Sequence, residues 1–247
     1  LQMFPPPCET TCGPTCLHAV YLFYEDDISL QQVVSEVECL EGGGTLDVLL
    51  ACHALRRGYR ATIYTYNLEV FDPTWFRPDV TDLQQKLILQ AKAKKKKKLA
   101  VATRAYLEFL QLGGKLKFKD LTSALLRTYL KQGKPILTGL SATYLYRCAR
   151  EFGAELEYDD VRGLPSGHFV VLCGYDMAQR TVLVADPLLM NPMDKGQYYE
   201  VGIDRLICSI LLGGGVFNCS SGFKTSSMAS EGHVVTHKPQ PMQRSIF

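Results

Sequence analysis

Apolar residues recur at helical spacing through most of the first half of the chain. The Gly13-Pro14 pair places a proline where the first turn of a helix tolerates it. Ser29, Thr45 and Asp120 carry side-chain oxygens at positions suited to capping the start of a helix. Glycine ends three of the patterns, at Gly58, Gly113 and Gly133. These signals predict helices over residues 14–24, 29–37, 45–57, 81–112 and 120–132.

Short apolar runs that are rich in β-branched and aromatic residues are concentrated in the second half. They predict strands over residues 59–66, 136–140, 168–174, 181–186 and 198–201. A further helix is expected near residues 204–211, and the segment 150–167 is acidic and irregular. Helices that come first and antiparallel strands that come later predict an α+β fold.

The chain has 247 residues, of which 47% are hydrophobic, and this is enough for a sizeable core. We expect one domain over residues 1–212, with a helical part at about 12–132 and a sheet part at about 134–212. Residues 213–247 are rich in Ser, Gly and Lys and have little periodicity, so we expect a disordered tail there.

The charge pattern argues against nucleic acid and membrane partners. A net charge of +2 gives no global field that would attract nucleic acid, and no apolar run reaches the roughly 18 residues of a membrane-spanning helix. We interpret the lysine run, Lys92 and Lys94–Lys98, as a solvated helix face or helix junction rather than a phosphate-binding patch. Nine cysteines without an evident disulfide spacing favour a reducing, cytoplasmic setting.

Cys12 lies just before the expected start of the first helix. Unpaired N–H groups and the helix dipole favour a thiolate there, and they would also bind the oxyanion that forms when a thiolate attacks a carbonyl. Gly13 has no side chain and leaves room for a substrate backbone. A buried structural thiol is the interpretation that remains open beside this one. Cys8, Cys12 and Cys16 with the nearby His18 and His53 could in principle bind zinc, but their spacing is unlike the tighter pairs of zinc motifs, and we expect no metal site.

His168 stands at the start of an apolar strand, where an isolated histidine is more often a hydrogen-bonded structural residue. If this strand and the next form a hairpin that turns near Met177, Asp186 is directly opposite His168, with Cβ atoms roughly 4.5–5.5 Å apart. A register shifted by two would make the contact diagonal but keep both side chains on one face. Asp176 is the competing acid, but strand geometry places it roughly 26 Å away. Asp186 also has a simpler possible role, the initiation of a turn with Pro187.

Three segments carry a resemblance to a known family: Thr-Thr-Cys12-Gly-Pro-Thr-Cys-Leu, Gly167-His168-Phe-Val-Val-Leu-x-Gly-Tyr-Asp and Val184-Ala-Asp186-Pro. In this order and spacing they resemble the C39-like peptidases, papain-fold relatives of the bacteriocin leader-processing peptidases, and in particular stand-alone bacterial members. The resemblance covers residues 4 to about 212. It implies a papain-like fold, in which an N-terminal helix with the nucleophile packs on an antiparallel sheet.

The resemblance also implies a role for each site residue. Cys12 is the nucleophile, His168 the general base and acid, and Asp186 the group that orients the histidine. Such peptidases usually have a glutamine six residues before the nucleophile, where it completes the oxyanion hole, but this chain has Pro6 at that position. Gln2 is the nearest upstream glutamine and is therefore a candidate oxyanion residue. Loss of one such donor typically lowers turnover by about 10²–10³-fold.

These residues predict a cysteine peptidase or amidase that hydrolyses a peptide or isopeptide bond through an acyl-Cys12 intermediate. Its partner would be a peptide or protein substrate, and the chemistry needs neither a metal nor another cofactor. The same site could instead transfer the acyl group to an amine. Pro6 favours a different class, a catalytically inactive peptide-binding module on the same fold, whereas the intact Cys, His and Asp set favours the enzyme.

Overall fold

The structure, a computed structural model, describes residues 1–40, 43–153, 155–193, 196–213 and 215–220, the last of these as backbone only. The helices are α1 (Cys12–Phe23), α2 (Leu30–Glu36), α3 (Asp47–Arg56), α4 (Leu83–Lys94), α5 (Lys97–Gln111), α6 (Ser123–Leu130), α7 (Ala142–Tyr146) and α8 (Ile203–Gly213). The strands are β1 (Arg60–Thr65), β2 (Lys115–Lys117), β3 (Ile136–Ser141), β4 (Glu151–Phe152), β5 (Glu157–Tyr158), β6 (Gly167–Asp176), β7 (Thr181–Ala185), β8 (Tyr198–Gly202) and β9 (Gly215–Ser220). Short 3-10 helices occupy Glu9–Thr11 and Pro73–Phe76.

A seven-stranded sheet runs through the middle of the described chain in the order β2-β1-β9-β3-β6-β7-β8. Neighbouring strands are antiparallel except for β1 and β2, which are parallel. β4 and β5 form a separate two-stranded ribbon in the acidic segment. Helices thus surround a largely antiparallel sheet, and the α+β prediction is confirmed.

The sheet separates two hydrophobic cores because successive side chains of a strand point to opposite faces. In β6, Val171 packs with α1, α3 and α5, whereas Val170 and Leu172 pack with α6 and α8. All three side chains are fully buried. The strand that carries His168 is therefore covered on both faces and held rigidly.

The helix boundaries follow the predicted caps only in part. Ser29 accepts a hydrogen bond from the Gln32 N–H and caps α2, as expected. Thr45 and Asp120 are not caps: the Thr45 hydroxyl donates to the carbonyl of Glu38, and Thr122 caps α6. The two helices begin two and three residues later than predicted, at Asp47 and Ser123, because these side chains have other partners or stand too far upstream.

The predicted helix over residues 81–112 is divided into α4 and α5 at the lysine run. Lys95 has φ 48°, in the left-handed region, and ends α4. Like charges three or four residues apart repel each other on a helix surface, so the run is a poor place for a continuous helix. The interpretation of these lysines as a helix junction agrees with this break.

The expected division into a helical part, a sheet part and a tail differs from the structure at two places. β1 and β2 come from the part expected to be helical, yet they join the main sheet. Residues 215–220 were expected in the tail, but they form β9, which pairs with β1 and with β3. A central strand there satisfies the backbone groups of both neighbours. Residues 221–247 of the expected tail lie outside the described residues.

Candidate active site

Cys12 is the first residue of α1 and its side chain is buried, with 9% of the residue exposed. The sulfur atoms of two cysteines in this helix contact the start of β6. The Cys12 sulfur lies close to the main chain of Phe169 and Gly13, and the Cys16 thiol donates to the Phe169 carbonyl at 3.2 Å. The N-terminus of α1 is thereby fixed beside the strand residue that precedes Phe169, which is His168.

His168 is the second residue of β6 and pairs across the sheet with Leu140 of β3. Its ring is in hydrogen-bonding contact with the Cys12 thiol. The ring Nε2 lies 2.9 Å from Asp186 Oδ1, so Nδ1 is the nitrogen left for Cys12. The structure therefore brings the three predicted site residues together in one chain of contacts.

The strand register differs by two residues from the expected one. β6 and β7 form the expected hairpin, but Val171 pairs with Ala185 and a bulge follows Leu172. If this register continues past Ala185, Asp186 does not lie directly opposite His168. The predicted direct pairing is therefore wrong. The hairpin turn lies later than expected and the bulge adds a residue. A shift of two keeps both side chains on one face, so the contact becomes diagonal.

Asp186 is completely buried, and its carboxylate accepts four hydrogen bonds. Oδ1 accepts from His168 and from the N–H of Leu188 at 2.9 Å. Oδ2 accepts from the hydroxyls of Tyr146 and Tyr199, each at 2.6 Å. The bond to Leu188 also corresponds to the turn role expected of an Asp-Pro pair. A carboxylate this fully bonded is fixed in position and holds the imidazole ring in one orientation.

Tyr146 and Tyr199 were not found by sequence reasoning. Tyr199 lies on β8 opposite Val184, and its position could have been found only from the strand register. Tyr146 is the last residue of the short helix α7, which is too short to show a periodic pattern in the sequence. Burial, and then the nearby Asp186 charge, raise the pKa of both phenols well above the usual range, so both remain hydrogen-bond donors.

The three site residues shift each other's protonation. Burial would raise the pKa of Cys12, but the hydrogen bond and charge of His168 outweigh it and lower the pKa of the thiol. Burial would lower the pKa of His168, but Asp186 and Cys12 raise it to about 10. The pKa of Asp186 is lowered against its burial, chiefly by His168. The arrangement favours a thiolate beside an imidazolium, the charge state of an activated nucleophile.

A cavity of about 420 Å³ opens at Cys12 and His168. It is lined by Thr10, Cys12, Gly43, Gly44, Thr45, Leu46, Asp47, Asn67, Val70, Ala102, Tyr106, Gly139, Leu140, Gly167, His168, Phe169 and Gly213. Five of these lining residues are glycines, and a Cβ at Gly44 or Gly167 would meet nothing within 4 Å, so a substrate backbone has room to approach there. The size falls within the range of small-ligand sites.

Comparison with known proteins gives the family. The model of the peptidase C39-like family matches residues 1–205. The chain belongs to the peptidase C39-like family. Among solved structures it is similar to the crystal structure of a Bacillus anthracis protein described as C39-like, at 13% identity and a TM-score of 0.43, over 90% of this chain and 92% of that one. The comparison with curated proteins found no match.

Membership of the C39-like family agrees with the architecture: a helix that begins at Cys12 packs on an antiparallel sheet with His168 and Asp186, as in papain-like peptidases. It supports a peptidase-type function in general. Asp176, the competing acid, lies at the hairpin turn, where its carboxylate accepts from the N–H groups of Ala178 and Gln179. The Asp176 carboxylate therefore stabilises the turn.

The position of Gln2 gives no support for its expected role. Gln2 is exposed, and it does not appear among the described residues that line the cavity. The backbone on either side of it is held at the far edge of the sheet, because Tyr198 of β8 bonds to both Leu1 and Met3. Pro6 has no amide to supply in its place.

Gly13 has a packing role that sequence reasoning did not foresee. It is buried, and a Cβ added there would lie 2.8 Å from Thr45 Cγ2 and 3.2 Å from the side chains of Leu50 and Phe169. The missing side chain thus permits the close packing of α1 against α3 and β6. Its backbone N–H, in contrast, is directed at the Cys12 sulfur.

We expect Gly13→Ala to lower the free energy of unfolding by about 1–3 kcal/mol, because the added methyl group overpacks this contact. Thr45→Ser removes the nearest methyl group and keeps the hydroxyl that bonds to Glu38. The Gly13→Ala/Thr45→Ser double variant should therefore recover part of the loss in urea denaturation. Additive effects of the two substitutions would contradict the proposed contact.

The described residues contain neither a metal-binding cluster nor a disulfide bond. No group of three or more His, Cys, Asp or Glu side chains is arranged to hold a metal ion within these ranges. The eight cysteines whose side chains are described are all free thiols. Within the same ranges, no helix combines the length and the apolarity needed to span a membrane.

Proposed function

We propose that the chain is a cysteine peptidase or amidase that cleaves a peptide or isopeptide bond through an acyl-Cys12 intermediate. The Cys12 thiolate attacks the carbonyl carbon, and the imidazolium of His168 then gives its proton to the leaving amine. In the second step His168 takes a proton from water, which attacks the acyl group and releases Cys12. Asp186 fixes the orientation of His168 and stabilises its charged form.

One observation carries this proposal: a buried thiol contacts an imidazole whose other nitrogen is held by a buried carboxylate. Charged groups are costly to bury unless they are paired and hydrogen-bonded. A module that only binds peptides gains nothing from a buried thiolate–imidazolium pair, whereas a nucleophilic enzyme depends on it.

We expect the oxyanion to be stabilised by main-chain N–H groups at the N-terminus of α1, which have no partner within the helix. This proposal does not require Gln2, which is exposed. A site that lacks one side-chain donor would still react, but about 10²–10³-fold more slowly than one that has it. Pro6 is also the observation that favours the second candidate, an inactive peptide-binding module on this fold.

Alkylation by iodoacetamide across pH separates the two candidates. In the wild type, the reaction of Cys12 should rise with pH through a value below the ordinary thiol range, because the pKa of Cys12 is lowered. The ion pair should persist until His168 loses its proton near pH 10. In His168→Ala, burial becomes the main influence on the pKa of Cys12 and raises it, so the reaction at pH 7 should be about 10²-fold slower.

Cys8 provides an internal control in the same measurement. It is exposed, and its hydrogen bonds with Thr10 and Thr11 lower the pKa of its thiol independently of His168. Adducts must therefore be assigned to each cysteine by peptide mass spectrometry, and the reaction at Cys8 should be the same in His168→Ala. A Cys12 that reacts only near pH 8.5, with or without His168, would favour the inactive binding module.

A further inference from the structure

The wall of the Cys12 cavity includes two distinct groups of residues. One group, which includes Cys12, Gly167 and His168, comes from α1, β3 and β6 and surrounds the reacting thiol. The other comes from α3, α5 and the loop after β1, and consists of Leu46, Asp47, Asn67, Val70, Ala102 and Tyr106. The second group has no part in the proposed bond cleavage, and it contains a carboxylate.

Asp47 is an acid without a cationic partner among the described residues. Its Oδ1 accepts from the N–H of Val48 at 2.8 Å and from the Tyr106 hydroxyl at 3.4 Å. No ion pair between Asp47 and a Lys, Arg or His side chain is present in the described ranges. Both of these hydrogen bonds go to Oδ1, and Asp47 lines the cavity that holds Cys12.

The electrostatic balance of the cavity also favours a cation. The charges of Cys12 and His168 compensate each other, and Asp186 adds a negative charge behind them. Asp47 contributes a further negative charge, and no Lys, Arg or His side chain of the described residues forms an ion pair with it. Burial raises the pKa of Asp47 to about 6, which reflects the cost of a partly compensated carboxylate. A bound cation would offset that cost.

We propose that Asp47 binds the cationic side chain of a lysine or arginine in the substrate, next to the bond attacked by Cys12. The inference rests on the proposed function, since it names the substrate class of the same site. Val70, Ala102 and Leu46 offer apolar surface to the methylene groups of such a side chain. Tyr106 holds the carboxylate in place through its hydroxyl.

Two chloromethyl ketones test the preference directly, one built on acyl-arginine and one on acyl-norleucine. In each case the Cys12 thiolate displaces chloride and forms a carbon–sulfur bond. Each rate at Cys12 is divided by the iodoacetamide rate of the same variant, which removes changes in thiol reactivity. We expect the wild type to prefer the arginine reagent by about 10²-fold and Asp47→Asn to lose most of this preference.

Asp204 supplies a matched control. Like Asp47 it lies in the first turn of a helix, but it is on α8 and does not line this cavity. Asp204→Asn should keep the arginine preference, and Asp47→Glu, which restores the charge, should recover part of it. An arginine preference that survives in Asp47→Asn would overturn the inference, as would equal rates of the two reagents in the wild type.

A binding measurement separates failure of this inference from failure of the proposed function. In Cys12→Ala, an arginine-containing tripeptide amide should bind more tightly than its norleucine counterpart by calorimetry, and Asp47→Asn should remove the difference. If the peptide binds selectively but alkylation of Cys12 does not depend on His168, the Asp47 subsite is supported and the proposed enzymatic function is rejected. Alkylation that depends on His168 without arginine selectivity in either assay would reject the subsite alone.

Discussion

Cys12→Ala is expected to lower the hydrolysis of fluorogenic peptides that contain lysine or arginine by about 10⁴-fold or more. The reason is that no acyl-enzyme can form once the sulfur is removed. Because the nucleophile and its base act as a unit, loss of Cys12 alone also removes most of the rate enhancement that His168 provides. Cys12 makes its polar contacts through sulfur, to His168, Phe169 and Gly13. Its replacement therefore removes the nucleophile and leaves a small space in an otherwise unchanged core.

Cys8→Ser is the matched control for this loss. Cys8 lies four residues upstream and is the other thiol in this segment with a lowered pKa, but it is exposed and bonds to Thr10 and Thr11. We expect Cys8→Ser to hydrolyse the same peptides at the wild-type rate. Equal losses in the two variants would indicate general damage to the N-terminal segment, and full activity in Cys12→Ala would reject Cys12 as the nucleophile.

The residues of the candidate site could be found from the sequence because each stands at an element boundary. Cys12 is the first residue of α1, His168 is the second residue of β6 and Asp186 directly follows β7. Parity alone determines which face of a strand a residue occupies, so the contact between His168 and Asp186 tolerates a register error of two. The exact pairing could not be predicted, because the bulge after Leu172 has no evident sequence signal.

Features that depend on contacts distant in sequence were missed. Tyr146 and Tyr199 reach Asp186 from elements 40 and 13 residues away in the chain. β9 was hidden because the Ser, Gly and Lys residues that follow it resemble a tail, yet it pairs with β1 and β3. Periodicity reports local structure and local burial. It contains no information on which distant strand or side chain completes a sheet or a hydrogen-bond network.

Substitution of Asp186 should give the second large effect. Asp186→Asn should mainly lower activity, and Asp186→Ala should mainly lower stability. In Asp186→Asn the amide oxygen can accept from His168 and Leu188, while the NH₂ group faces Tyr146 and Tyr199, whose hydroxyls can turn and accept. The fold should persist, but without the negative charge the pKa of His168 falls and the thiolate form of Cys12 is weakened. We expect peptide hydrolysis at pH 7 to drop by about 10²-fold or more.

Asp186→Ala instead leaves several buried donors without an acceptor, and we expect it to lower the free energy of unfolding by about 3–5 kcal/mol in urea denaturation. Because the pKa of Asp186 is lowered in the folded chain, its contribution exists above the ordinary value of about 3.9 and is lost as the pH falls through the lowered folded value. The matched substitution is Asp176→Ala, which removes a carboxylate that caps an exposed turn through two N–H groups. It should cost about 1 kcal/mol. If Asp186→Ala were no more destabilising than Asp176→Ala, the four-bonded carboxylate would not be what holds His168 in place.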